Sequence, residues 1–301
     1  MSLFSSTAAR AGDTPLRLAW REFSESRTAV AALVVVAALV ALAILAPWAA
    51  PQNPYDLGQL SVMDNMLPPG ARGFDDRLYL LGTDDQGRDM LSAILYGLRL
   101  SLAVGITATV IALAIGTAVG TIAAHFGGRI DMVLMRLVDI QLSFPAILIA
   151  LILLAILGKG VDKVIIALIA VQWAYYARTV RGTALVERRR EYIEAAACLA
   201  LSHRRIVFSH LLPNCLPPLI VVATVQVANA IALEATLSFL GVGVPITEPS
   251  LGLLIANGYD YLLSGQYWIS FFPGVALLIT IVAINLVGDQ LRDVLNPRLR
   301  R

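Results

Sequence analysis

LSLAVGITATVIALAIGTAVGTIAA, residues 100–124, runs for 25 residues without one charged side chain. At 1.5 Å per residue a helix of that length reaches about 37 Å, more than the roughly 30 Å of a bilayer's hydrocarbon core. Backbone polar groups find no water there, so a continuous run of this kind satisfies them internally, as a helix. Small residues recur within it every fourth position, at Ala108, Ala112, Gly116, Gly120 and Ala124. They line one face and let a second helix approach closely, which matters where lipid supplies no hydrophobic drive between helices. Ala112, Gly116 and Gly120 are therefore helix-packing residues, either within this chain or against another subunit.

Five further apolar runs flank this one: Thr28–Ala50, Leu137–Leu157, Val164–Thr179, Leu216–Gly241 and Ile269–Val287. The 301 residues are 58% hydrophobic and 15% charged, and their mean hydropathy is +0.75. Soluble domains average about 45–50% apolar and 25% charged residues. The expected fold is an all-α integral membrane protein with six transmembrane helices. The first run follows arginines and ends in small residues, as a signal peptide would, but its 23 apolar residues exceed the 7–15 of a signal core. It reads as an uncleaved anchor.

The basic residues orient the chain. Of the 23 Lys and Arg, 17 fall before the first run, between the second and third, at the end of and after the fourth, and in the tail. The other 6, Arg72, Arg77, Arg88, Arg99, Lys159 and Lys163, fall on the opposite side. An excess of this kind marks the cytoplasmic face, so both termini are expected there. The expected organisation is a cytoplasmic segment 1–27, an anchor 28–50, an extracytoplasmic loop 51–97, a five-helix core 98–289 with a cytoplasmic loop 182–213, and a tail 290–301. Trp20, Trp48, Trp173, Tyr175, Tyr176 and Trp268 fall near span ends, as an interfacial aromatic belt requires. The loop 51–97 is rich in Pro and Asp and is expected to hold little regular structure before Arg88.

Catalytic and cofactor patterns are missing from the sequence. Gly158-Lys159-Gly160 lacks the cradle and helix of a phosphate loop. His125, His203 and His210 make no metal spacing, and Cys198 and Cys215 make no CxxC. A net charge of +2 does not point to nucleic acid. The expectation is a chain that is not an enzyme and holds no metal or cofactor; uphill transport would draw its energy from another chain.

Polar residues inside spans are costly and mark function or helix pairing. In the fifth run Gln226, Asn229 and Glu234 fall at wheel angles of about 0°, 300° and 80°. They share a broad half-face, which either lines a translocation path or hydrogen-bonds between helices, with Glu234 near the outer water. Asp139 is expected to pair with Arg136, three residues before it. Asn285 and Asp289 are expected to cap the last helix or pair with Arg292.

The stretch 182–213 is longer than a connection needs to be and is basic, which alone suits a loop held to anionic headgroups. Its sequence EYIEAAACLALSHRRIVFSHLLPN, residues 191–214, resembles the EAA motif of ABC-importer permeases, a short helix and turn that docks into a groove of a cytoplasmic ATPase. Three alanines, Ala195, Ala196 and Ala197, keep that helix slim, and Glu191 and Glu194 near its start suit the helix dipole. Where the family usually has glycine this chain has Ala200, which does not share glycine's ease at positive φ.

Other blocks extend the resemblance over nearly the whole chain. GTDDQGRD at 82–89 followed by LSAILYGLRLSLAVG, LEATLSFLGVGV at 233–244, and FPGVALLITIVAINLVGDQLRDVLNPRLR at 272–300 are similar to the second permease subunit of bacterial dipeptide and oligopeptide ABC importers. NPYDLG after the anchor also fits. The resemblance implies a type I importer permease in the bacterial inner membrane. It implies a heterodimer with a homologous permease, two cytoplasmic ATPase subunits that hold ATP and Mg, and an extracytoplasmic peptide-binding protein. The coupling residues it implies are Glu191, Glu194, Ala195, Ala196, Ala200, Leu201 and Pro213. Nickel, glutathione or another small solute are alternative cargoes of the same architecture, and a self-sufficient channel or proton-coupled carrier is the alternative of another class.

Overall fold

The computed structural model describes residues 15–295. Arg10 and the tail arginines Arg298, Arg300 and Arg301 lie outside the described residues, as do the side chains of Ala197 and Arg204.

An amphipathic helix α1 (Pro15–Glu25) leads through Ser26, whose hydroxyl caps the next helix at Ala29 N–H, into α2 (Arg27–Ala49). The anchor is thus a 23-residue helix, and Ala29, Ala32, Ala43 and Ala46 form its buried seam. Residues 51–89 are more ordered than their composition suggests. They contain two 3-10 turns and a two-residue antiparallel ladder of β1 (Ala71–Arg72) and β2 (Leu78–Tyr79).

Buried polar pairs rather than apolar packing hold this loop. The Tyr79 hydroxyl donates to Asp64 at 3.0 Å, and Asp64 also accepts from Phe74 N–H. Burial and then the Asp64 contact push the Tyr79 hydroxyl up to about 12. Within GTDDQGRD, Arg88 Nε meets Asp84 Oδ2 at 2.6 Å with both side chains buried, and Thr83 accepts at its carbonyl from the Trp268 indole. Most desolvated groups of the loop have a partner, with Asp85 Oδ1 and Arg88 Nη2 the exceptions, and that requirement is what gives a Pro- and Asp-rich loop one shape.

Asp89 then caps α3 (Met90–Phe126) by accepting from Ser92 N–H. At 37 residues α3 is the longest helix and begins ten positions before the apolar run. α4 (Gly128–Ser143) and α5 (Ala146–Leu157) follow, meeting at 92°. Leu137–Leu157 is therefore a broken span. Pro145 has no N–H to continue the ladder and drives Phe144 to an extended conformation at φ −97°, ψ 144°.

α6 (Val161–Glu187) is 27 residues long, where the apolar run marked only Val164–Thr179. Its charged C-terminal part stays helical because it pairs across the bundle: Arg181 takes Asp131 of α4 in a two-pronged bond at 2.6 Å, and Arg178 takes Asp139. Asp139 thus pairs with a neighbouring helix rather than with Arg136. α7 (Glu191–Cys198), α8 (His203–Ile206) and a π turn at Val207–Leu211 lead into α9 (Leu212–Phe239). α10 (Leu251–Tyr259) is a short helix that packs on α9 and on the final helix, α11 (Trp268–Leu295).

Four helical stretches, α2, α3, residues 207–239 and α11, are long and apolar enough to cross a bilayer, and the bent α4–α5 pair makes five. α6 supplies the sixth pass of a multi-pass membrane protein. It is less apolar because much of it faces protein instead of lipid: Leu168, Ala174, Tyr176 and Ala177 have no exposed surface. Tyr176 is accordingly a core residue and no part of an interfacial belt, and Trp268 is also buried.

α3 and α6 form the seam at the centre of the bundle. A Cβ added at Gly116 would stand 2.4 Å from the Trp173 carbonyl, and one at Gly120 would stand 2.5 Å from that of Ala177. The small-residue stripe is used inside this chain: Ala112, Gly116 and Gly120 bring the two backbones into contact.

Candidate functional site

Three sets of residues could carry function, and they sit at different depths. The first is the segment joining α6 to α9. Arg188 donates to the carbonyls of Ala124 and His125, closing the end of α3, and Tyr192 bridges Glu187 to Asn214 through bonds of 2.8 and 3.0 Å. These bonds fix both feet of the segment to the bundle. On α7, Ile193 and Ala196 are buried, whereas Glu191, Glu194 and Ala195 face outward.

The helix ends in a Schellman turn. Leu201 N–H donates to Ala196 C=O at 3.2 Å, and Ala200 takes φ +55°. The left-handed position falls on the residue where glycine is usual in the resembling family, so this turn carries the strain of an L side chain. Pro213 stands in the first turn of α9, directly after the π turn. Beyond the residues singled out by sequence, Leu199 and Phe208 project with 75% and 67% of their surface exposed. Each sits among other apolar residues, Cys198–Leu201 and Ile206–Val207, so nothing in the sequence marks it as exposed.

The second set lines a cavity of about 650 Å³ between α6, α9 and α11, on the same end of the bundle as α7. Glu187, Asn214, Pro217, Asp289 and Arg292 stand around it, and Gln226 closes its inner end. Asp289 and Arg292 share this cavity without forming an ion pair. Gln226 is part of an amide chain that crosses three helices. Thr109 donates to Gln172 at 3.2 Å, Gln172 to the Gln226 carbonyl at 3.0 Å, and Asn229 to the Gln226 side chain at 2.7 Å.

Glu234 does not join them. It has no exposed surface, so water does not touch it, and it accepts from Ser101 of α3 and from Ser238, each at 2.8 Å. A carboxyl in that cage ties α3 to α9. The wheel angle put the three residues on one half-face; the structure assigns Gln226 and Asn229 to the amide chain and Glu234 to a serine cluster.

The third set lies at the opposite end, beside residues 51–89. A cavity of about 460 Å³ is walled by Tyr55, Tyr96, Arg99, Val161, Ile165 and Glu248. Sequence reading counted Arg99 only for topology and passed over Glu248, because nothing in the chain order brings them together.

Residues 116–301 match the family of the binding-protein-dependent transport system inner membrane component, and residues 14–69 match the N-terminal TM domain of oligopeptide transport permease C. A putative peptide transport system permease protein of Brucella suis is 43% identical over 289 residues, 96% of this chain and 94% of the relative. The dipeptide transport system permease protein of Escherichia coli K12 is 41% identical over 96% of this chain and 95% of its own length. The di/tripeptide transport system permease protein of Pseudomonas aeruginosa is 37% identical over 95% and 93%. Among solved structures, an inward-facing methionine ABC transporter superposes with a TM-score of 0.56 at 24% identity, covering 69% of this chain and 98% of that one. That likeness is one of fold.

Proposed function

The chain belongs to the family of binding-protein-dependent transport system inner membrane components, and from that membership we propose that it is the permease through which an ATP-driven importer passes dipeptides or short oligopeptides. The observation that carries the cargo is the likeness, over nearly the full length, to peptide and dipeptide permeases at 37–43% identity.

In this reading the chain is half of a path. A homologous permease completes it, two ATPase subunits dock on the two coupling segments, and ATP and Mg stay on those subunits. A peptide-binding protein delivers at the face formed by residues 51–89. The arginine-rich end, with both termini, is cytoplasmic, in keeping with the bias of 17 basic residues to 6.

The coupling segment has the form such docking needs. Its feet are held by Arg188 and Tyr192, its outer face offers Glu191, Glu194 and Ala195, and Leu199 and Phe208 supply apolar contacts. Ala196 seats α7 on the bundle; Ala200, Leu201 and Pro213 set how the chain turns back into α9. ATP favours one orientation of the permease pair only by binding the two states unequally, and a rigidly held α7 transmits that difference. The 650 Å³ cavity is this chain's share of the cytoplasmic half of the path, with the Gln226–Asn229 amides at its inner end. Amide side chains there can meet the donors and acceptors of a peptide bond whatever its side chains.

Glu194→Lys reverses a charge on the exposed face of α7 without touching the bundle. In proteoliposomes containing the transporter, ATP-driven uptake is expected to fall to background while insertion is unchanged. Normal uptake by that variant would remove α7 from coupling. A profile of uptake across dipeptides, oligopeptides, glutathione and nickel decides the cargo.

A further inference from the structure

The cavity at the 51–89 end brings two opposite charges to one wall without pairing them. Arg99 stands ten positions into α3, and Glu248 lies in the connection between α9 and α10, 149 positions later in the chain. Neither makes an ion pair with the other or with any described residue. Arg99 is exposed and Glu248 half-buried at this wall, whereas Arg88 pairs with Asp84, Arg181 with Asp131 and Arg178 with Asp139.

The rest of the wall suits a small polar guest. Tyr55 and Tyr96 meet edge to face at 5.2 Å between ring centroids and form an aromatic side. Leu100, Val104, Val161 and Ile165 make the apolar floor. Tyr55 feels both charges, since the Glu248 carboxylate, after burial, pushes its hydroxyl pKa up while Arg99 draws it down. At about 460 Å³ the space falls within the range of small-molecule sites.

We propose that this cavity holds a short peptide by its two free termini, with Arg99 taking the carboxylate and Glu248, beside Tyr55, taking the ammonium group. The site rests on the peptide reading above and deepens it, because it selects for free ends and leaves side chains to the apolar floor and the aromatic wall. A guanidinium presents parallel N–H donors that a carboxylate accepts two at a time, and a carboxylate is the natural acceptor for an ammonium. Both charges stay separate until a zwitterion bridges them.

The test uses the transporter purified in detergent with its partner chains and without the binding protein. Binding of dialanine, N-acetyl-dialanine and dialanine amide is measured by calorimetry, and uptake of dialanine is measured in proteoliposomes of the whole system. Loss of one charge-assisted contact is worth about tenfold or more in affinity. The wild type is expected to bind dialanine at least about tenfold more tightly than either blocked peptide. Arg99→Gln should lose the discrimination against the amide alone, and Glu248→Gln that against the acetylated peptide alone. Arg99→Lys, which keeps the charge but not the parallel donors, should retain only part of it. Equal binding of all three peptides, variants that discriminate as the wild type does, or no binding by a complex that transports dialanine each overturn the site. Failure of the whole wild-type system to take up dialanine instead strikes the peptide reading itself.

Discussion

Ala200 holds a backbone conformation that an L residue adopts at a cost of roughly 1–2 kcal/mol, and it does so at the turn that aims α7. Glycine would relieve that strain, although its greater freedom in the unfolded chain returns about 0.5–1 kcal/mol of the gain. Ala200→Gly should therefore be neutral or stabilising by up to about 1 kcal/mol and should leave uptake intact. Ala200→Val should cost about 1–3 kcal/mol, because a branched Cβ crowds the same turn. Thermal unfolding in detergent, followed beside uptake, reads both. The departure at Ala200 is legible in the amino-acid sequence, since a single alanine stands where the resembling family has glycine. Pairings are not legible in the same way. Asp139 has an arginine three positions away and another on a different helix, and packing of α4 on α6 selects Arg178. Arg99 and Glu248 are brought to one wall only by the folded connections, and no local pattern joins them.

Helices α2, α9 and α11 can be read from apolar runs because length and hydropathy are what the bilayer selects. The runs fail where protein replaces lipid as the solvent. α6 carries charges that end an apolar run but not a helix, because Asp131 and Asp139 neutralise them across the bundle. At Phe144-Pro145 the run continues while the helix breaks, since hydropathy does not register a missing N–H. The α3–α6 seam gives the element-scale prediction. At Gly116 a Cβ would meet the backbone of α6 at 2.4 Å and the Tyr176 Cβ at 2.5 Å, and neither neighbour can rotate away. Gly116→Val should force the helices apart and cost about 1–3 kcal/mol or more. Ala118→Val, on the exposed face of the same helix, should cost little. Comparing the two in unfolding midpoint and detergent-solubilised yield separates close packing from helix propensity, which favours Val over Gly and Ala over Val and would alone give the opposite order. Equal losses would mean that the seam is not where α3 and α6 derive their affinity.

At the scale of the whole molecule, orientation, docking and cargo delivery depend on one another, because the coupling segment and the 460 Å³ cavity lie at opposite ends of the bundle. If the arginine-rich end faces the cytoplasm, the ATPases reach α7 and the free-termini site opens toward delivery; if it faces outward, both assignments fail together. The chain contains its own reporter for this. Of its two cysteines, Cys198 is exposed on α7 and Cys215 is buried in α9. A membrane-impermeant maleimide should label the wild-type chain in inverted membrane vesicles and not in right-side-out ones, with Cys198→Ser abolishing the signal. Docking adds a second readout at the same atom, because an ATPase seated on α7 should slow labelling and its removal should restore it. Labelling from the outer side would reverse the topology drawn from 17 basic residues and move the nucleotide-dependent surface to a compartment without ATP. Inner-side labelling that ignores the ATPases would keep the topology while detaching α7 from them. The two halves of the reading therefore fail separately, by side in one case and by rate in the other.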